Sequence, residues 1–233
     1  MRTRTHEPTS VWVLIALAGG GLVAAVVSQA GEIVRTFQDR PFAMVAIIGA
    51  TVLLQLFAVD LGSGRGAIGF ASAGLVVAAV GLSAGTALLA GVAVALVQLL
   101  RARGFVHRAV FDAASHALPA AAAAAVYLAV SGSPPALAGE LLAGVLAAGV
   151  FVVLNNGGLC LAMALSRRSR IVDVWSERFG WATPFYVAFL PVAACLAAIF
   201  AAAPAIGVAS LVATPLALRV GLSRRAPQPA FPS

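Results

Sequence analysis

The stretch LLAGVLAAGVFVVLNNGGLCLAMALS, residues 141–166, runs from Glu140 to Arg167 without a charged side chain. A transmembrane α-helix needs about 20 consecutive apolar residues, so this stretch is long enough to cross a bilayer. Two adjacent amides, Asn155 and Asn156, lie near its centre and are followed by two glycines. The stretch therefore predicts a membrane-spanning helix with hydrogen-bonding groups at mid-depth.

The composition of the whole chain agrees with this stretch. Of its 233 residues, 61% are hydrophobic and 10% are charged, and the mean hydropathy is +1.01. Soluble domains carry about 25% charged residues. The sequence predicts one membrane-embedded helical domain over residues 1–223 and a short disordered tail over residues 224–233.

The charge-free stretches set the number of predicted spans. Three of them hold one span each: 8–31, 41–59 and 113–139. A further span runs from about residue 136 to residue 165, with Glu140 in its first turn. Residues 66–100 and 179–218 are too long for a single helix, because 35 residues at ~1.5 Å each would measure about 52 Å against a ~30 Å hydrocarbon core. Turn-forming residues divide both: Gly81, Ser83 and Gly85 in the first, Pro204 and Gly207 in the second. The prediction is an all-α bundle of about eight transmembrane helices.

The arginines orient this bundle. Every basic residue is an arginine, and eight spans with a cytoplasmic N-terminus place 13 of the 15 on the cytoplasmic side, leaving Arg35 and Arg40 outside. The chain is thus predicted to be a multi-pass protein of the cytoplasmic (inner) membrane with both termini in the cytoplasm. Because the arginines cluster at the ends of apolar runs, anionic lipid headgroups are the expected partner, and nucleic acid is not.

The amides of residues 141–166 are the first candidate functional residues. A lipid-facing amide is costly, so Asn155 and Asn156 are predicted to point at other helices. One interpretation is that these amides, Asn155 above all, form interhelical hydrogen bonds beside a close helix crossing at Gly157 and Gly158. The alternative is a flexible point in the helix or a polar ligand site. Gln55 and Tyr186 are expected to line that site.

A second candidate lies at 101–119, where the densest mixture of polar residues adjoins a membrane face. Asp112 and His116 are four residues apart and share a helix face, so they form a candidate proton relay or ion pair. The alternative is that Asp112 pairs with Arg108 while His116 makes a hydrogen bond within the bundle. One such pair does not make a zinc site, which needs three or four ligands.

A third candidate follows the arginines of "RRSR". In the stretch IVDVWSERFGW, residues 171–181, apolar side chains recur at helical spacing and predict one short interfacial helix. Trp175, Phe179 and Trp181 are expected at the level of the lipid headgroups. The alternative role is a coupling element that moves with the bundle or docks a partner.

Catalytic signatures do not appear in the sequence. It contains no nucleophile–base pattern, phosphate-binding loop or zinc motif, and without lysine it cannot form a Schiff base. The two cysteines, Cys160 and Cys195, lie inside apolar runs. We therefore expect a non-enzymatic protein with no catalytic residues, no cofactor and no metal.

Three stretches resemble the multi-helix membrane modules that precede GGDEF or HD-GYP domains in bacterial signalling proteins. They are AVFDAASHALPAAAAAAVY (109–127), FVVLNNGGLCLAMALSRRSRIVDVW (151–175) and TPFYVAFLPVAACLAAIF (183–200). The resemblance covers roughly residues 65–220. It departs from the family pattern at Asp112 and Ser115, where the family has amides, and at Asn156, where it often has a small hydroxylated residue.

The resemblance implies a membrane input or sensor module, or a scaffold, that acts through a protein partner at the cytoplasmic face. Neither a GGDEF nor an HD-GYP motif occurs in the chain, so the resemblance lends it no cyclic-dinucleotide chemistry. Two other functions stay open: a small-solute transport protein or membrane subunit of an uptake system, and a structural subunit of a larger membrane complex. The sequence also leaves a homo-oligomer open.

Overall fold

The structure, a computed structural model, describes residues 8–57, 59–60, 67–68, 70–102, 105–132 and 136–225. Within them the chain forms ten α-helices, one 3₁₀ turn at Gly180–Ala182, and two paired strands of two residues each. The elements are α1 Thr9–Ser28, α2 Ala30–Asp39, α3 Pro41–Leu56, β1 Val59–Asp60, β2 Ala67–Ile68, α4 Ala71–Gly81, α5 Ala84–Ala102, α6 Val106–Val130, α7 Leu137–Arg167, α8 Ile171–Arg178, α9 Thr183–Ala202 and α10 Pro204–Arg225.

Five of these helical segments are long and apolar enough to cross a membrane: α1, α5, α6, α7 and α9 with its 3₁₀ turn. The α2–α3 pair bends by 110° and makes a sixth if it is counted as one broken span. The chain is therefore a multi-pass helical membrane protein, as its composition predicts. The remaining predicted spans are short, because α4 has 11 residues and the apolar part of α10 is Pro204–Thr214.

The two predicted divisions of the long apolar stretches are confirmed. Residues 66–100 break at Leu82 and Ser83, where α4 ends and α5 begins, and residues 179–218 break at Ala203 before Pro204. Proline suits the start of α10 because the first amides of a helix have no partner within it. The described helix α10 continues to Arg225, two residues beyond the predicted domain end, and residues 226–233 of the predicted tail lie outside the described part.

Small residues bring the helices close together. A Cβ atom added at Gly91 of α5 would lie 2.7 Å from the Ala117 backbone of α6, and one at Gly144 of α7 would lie 3.0 Å from Ala194 Cβ of α9. Membrane helices pack through such residues because lipid supplies no hydrophobic force between them. The short helix α4 lies at the centre of this packing, with eight buried residues, and it contacts α3, α5, α6, α7 and α9.

Helix α2 was not predicted from the sequence. Its segment carries Glu32, Arg35 and Asp39 among apolar residues, which gives an amphipathic helix rather than a loop. It crosses the α4–α5 break, where Thr36 Oγ1 donates to Ser83 Oγ over 3.3 Å. Ser83 Oγ in turn accepts the Thr86 backbone N–H at 3.1 Å, so it satisfies an amide that the start of α5 leaves without a helical partner.

Candidate functional site

The Asn155–Asn156 pair lies in an unbroken helix. Helix α7 runs through both amides and both glycines and ends only after Arg167, where Arg168 adopts a left-handed backbone with φ of 54°. Both amides are buried, with 7% of Asn155 and 4% of Asn156 exposed. The helix is therefore continuous through this segment, and the predicted burial of both amides is confirmed.

Asn156 faces helix α9. Its side-chain amide lies beside the hydroxyl of Tyr186, and the Cys160 thiol, one turn further along α7, lies near the same hydroxyl. Tyr186 occupies the first turn of α9, behind Thr183 and Pro184. The structure thus brings together two of the predicted site residues, Asn156 and Tyr186, and adds buried Cys160 to them.

Asn155 lies about 100° away around the helix, as adjacent helical residues do. Its Oδ1 atom is buried and has no hydrogen-bond partner among the described residues. That Asn155 ties helices together therefore stays a prediction, whereas its neighbour Asn156 lies beside a polar group of another helix, the Tyr186 hydroxyl. A buried oxygen without a partner costs the free energy of its lost hydration, about 1–3 kcal/mol.

The predicted close crossing at Gly157 and Gly158 is also wrong. A Cβ atom added at either position would meet nothing within 4 Å, whereas the crossings on this helix occur elsewhere, as at Gly144. Gln55, the remaining predicted lining residue, lies on α3, which packs on α4, α5 and α10. That packing places Gln55 away from the seam between α7 and α9.

Asp112 and His116 are on α6, as predicted, but they have different surroundings. His116 Nε2 lies 3.4 Å from Gln98 Nε2 of α5, and its Nδ1 atom is buried without a partner among the described residues. Asp112 lines a cleft of about 370 Å³ between α1, α6 and α7, together with Arg108 and Arg167. This arrangement agrees with the alternative in which Arg108 balances the charge of Asp112 and His116 bonds within the bundle.

Helix α8 is present at Ile171–Arg178, as the spacing predicts, and it packs on α7. Val174 is 1% exposed and contacts a buried cluster with Cys160 and Ala164 of α7. Trp175 and Phe179 pack against the same cluster and stack on each other with ring centroids 5.8 Å apart. The apolar face of α8 is thus used mainly for contact with α7.

The surroundings of α8 are polar or aromatic. Glu177 forms an ion pair with Arg167 at 3.3 Å, which links α8 to the end of α7. Trp181 Nε1 donates to the Arg178 carbonyl at 2.9 Å, and its ring meets Phe185 at an edge. Placement of Trp175, Phe179 and Trp181 at headgroup level stays a prediction, since contact with α7 does not fix their depth.

Comparison with protein-family models, with curated proteins and with solved structures finds no match to this chain. The resemblance to the membrane modules before GGDEF or HD-GYP domains therefore stays a prediction based on the residues quoted above.

Proposed function

We propose that this chain is a non-enzymatic module of the cytoplasmic membrane that acts on a protein partner at its cytoplasmic face, as an input or scaffold unit. The observation that carries the proposal is the attachment of α8 to α7. Helix α7 has 31 residues and is about 46 Å long, so it exceeds the ~30 Å hydrocarbon core and joins its two faces. Its mid-depth amide Asn156 contacts α9, and its last turns hold α8.

The packing supports motion of α7 and α8 as one body. Val174, Trp175 and Phe179 bury their apolar surface against Cys160, Met163 and Ala164, all on α7. Interiors packed in this way transmit displacement because they have few voids. A shift of α7 against α9, where Asn156 lies beside Tyr186, would therefore move α8 at the membrane face.

The positions of two clefts favour a partner module over a transport protein. The cleft with Asp112 and a second one beside Arg168 both adjoin the arginine-rich end of α7, and Asn155, Asn156, Gln55 and Tyr186 line neither of them. A solute site at mid-depth would need such a pocket. The exposed side of α8, in contrast, is free for a partner: Val172 is 74% exposed.

The proposed topology has eight crossings with both termini in the cytoplasm. One contact supports it: Arg101 Nη1 donates to the Leu56 carbonyl at 3.2 Å, so the ends of α3 and α5 share a face. Cysteines at Ser169 and Gln38, introduced into a Cys160→Ala, Cys195→Ala background, should be labelled from the cytoplasmic and external sides respectively. Labelling of both from one side would contradict the topology.

The partner is tested by site-specific photocrosslinking in the producing cell's membrane. A photoreactive amino acid at Val172 should form one adduct of discrete mass with a second protein. Leu128, which is 70% exposed on the membrane-spanning α6, is the matched control and should crosslink to lipid alone. Replacing Val174 by Asp should detach α8 and remove the Val172 adduct. Lipid adducts only at Val172, or the same protein adduct at Leu128, would overturn the proposal.

A further inference from the structure

A cleft of about 540 Å³ opens where α1 begins, α7 ends and α8 begins. Its polar lining consists of two arginines, Arg168 and Arg170, and two hydroxyls, from Ser10 and Ser169. The left-handed backbone of Arg168 turns the chain between α7 and α8 and leaves both arginines on the wall of this cleft. The cleft is therefore positively charged and carries hydrogen-bond donors.

These two arginines differ from their neighbours in having no counter-ion among the described residues. Arg167 and Arg178 both pair with Glu177, at 3.3 and 3.2 Å. Within the described part of the chain, no carboxylate forms an ion pair with Arg168 or Arg170, and both are exposed. Two unpaired guanidinium groups on one cleft fit an anion with several oxygen atoms, such as a phosphate.

The other wall of the cleft is apolar and continues toward the membrane centre. Leu165 and Leu161 line it, four residues apart on α7. The same helix face continues, at spacings of three and four residues, through Gly158 and Gly157 to the exposed Leu154. A Cβ atom at either glycine would meet nothing within 4 Å, so the helix surface between Leu161 and Leu154 is open and lacks side chains at the two glycines. We call this part of the surface the groove.

The dimensions suit an amphiphile. Gly158 and Arg168 are ten residues apart, which places the groove about 15 Å below the arginines along the helix axis. The charge is confined to the end of α7, and the apolar wall lies on its membrane side. A free phosphate would interact with the arginines but would make no use of the apolar wall.

We propose that the end of α7 holds a specific site for one anionic phospholipid, with its phosphate at Arg168 and Arg170 and an acyl chain along the groove at Gly157 and Gly158. Charge complementarity selects the headgroup, and the groove selects a molecule with a chain. This site goes beyond the proposed function, and neither depends on the other.

The test is native mass spectrometry of the purified full-length chain in detergent, titrated with dioleoylphosphatidylglycerol. The expected result is retention of one lipid per chain. Dioleoylphosphatidylcholine, which has the same chains and no net charge, should bind at least tenfold more weakly. Excess inorganic phosphate should not displace the bound lipid, because it lacks the chain.

Two variants test the headgroup contact and the acyl-chain contact of the site separately. Arg168→Gln with Arg170→Gln should raise the dissociation constant for phosphatidylglycerol by about thirty-fold, from the usual contribution of two arginines near anionic lipid. Gly157→Leu should raise it about tenfold, which equals the displacement of about two methylene groups.

Matched controls lie elsewhere on the chain. Arg35→Gln with Arg40→Gln makes the same change in net charge at exposed residues of α2 and its end, and Gly49→Leu fills open space on α3. Both should leave lipid binding unchanged. Equal loss in the controls, equal binding of phosphatidylcholine, or displacement by phosphate would overturn the proposal. The comparison of the two lipids and of phosphate on the unaltered chain decides the question even if a variant fails to fold.

Discussion

The sharpest prediction concerns Gly91, where α5 and α6 meet. A Cβ atom at this position would lie 2.7 Å from both the backbone nitrogen and the Cα of Ala117. Ordinary van der Waals contact begins at 3.4 Å, so Gly91→Ala must move α6 by about 0.7 Å, the difference of the two distances. Overpacking of this kind costs about 1–3 kcal/mol.

The cost should lie at the upper end of that range because backbone atoms cannot rotate away. Alanine returns about 0.5–1 kcal/mol through its better helix propensity, so we expect Gly91→Ala to lower the free energy of unfolding by about 2 kcal/mol. The measurement is unfolding in mixed micelles with increasing SDS, followed by circular dichroism.

Gly49→Ala is the matched control. An added Cβ on α3 at that position meets nothing within 4 Å, so only the propensity gain remains, about 0.5–1 kcal/mol of stabilisation. The two substitutions should therefore have opposite signs. If Gly91→Ala proved as stable as Gly49→Ala, the close approach of α5 and α6 would be refuted.

Three further predictions concern α7 and its neighbours. Asn156→Leu should cost about 0.6–1.7 kcal/mol through loss of its polar contact with the Tyr186 hydroxyl, while Asn155→Leu should be neutral or stabilising; a double-mutant cycle with Tyr186→Phe checks this, and equal costs at both positions would contradict it. Val174→Ala should remove about 1–2 kcal/mol of α8 packing and speed amide exchange in α8 but not in the spanning helices; unchanged exchange would show that α8 is held otherwise. Glu177→Gln breaks exposed ion pairs and should cost less than about 1 kcal/mol, and a larger loss would mean that charge rather than burial holds α8.

Much of the fold was accessible from local sequence signals. The 26 uncharged residues from 141 to 166 predict α7, since a long apolar run has few stable alternatives to a helix in lipid. The breaks near Gly81 and before Pro204 follow from local backbone chemistry. Helix α2 was not predicted because charged residues lie between its apolar residues, so its composition is that of a polar loop. Only the helical spacing of the apolar residues distinguishes it from a loop.

The candidate site was predicted only in part. The sequence identified the buried amides and the short helix at 171–178, because both depend on composition and spacing within one segment. It did not show that Asn156 is the amide beside Tyr186, and it placed a helix crossing at Gly157 and Gly158, where the structure has open space. A sequence shows that small or polar residues share a helix, but it does not show which neighbour faces them.

The sequence by itself determined that this chain is a helical membrane protein, where its longest spans lie and which end of α7 carries the positive charge. These properties follow from the transfer of apolar segments into lipid, which each segment undergoes largely on its own. Only the tertiary structure decided that Asn156 lies beside Tyr186, that Gly91 rather than Gly157 is a crossing point, and that α8 packs on α7. Those outcomes depend on the rotation and register of helices from distant parts of the chain, which packing between them sets.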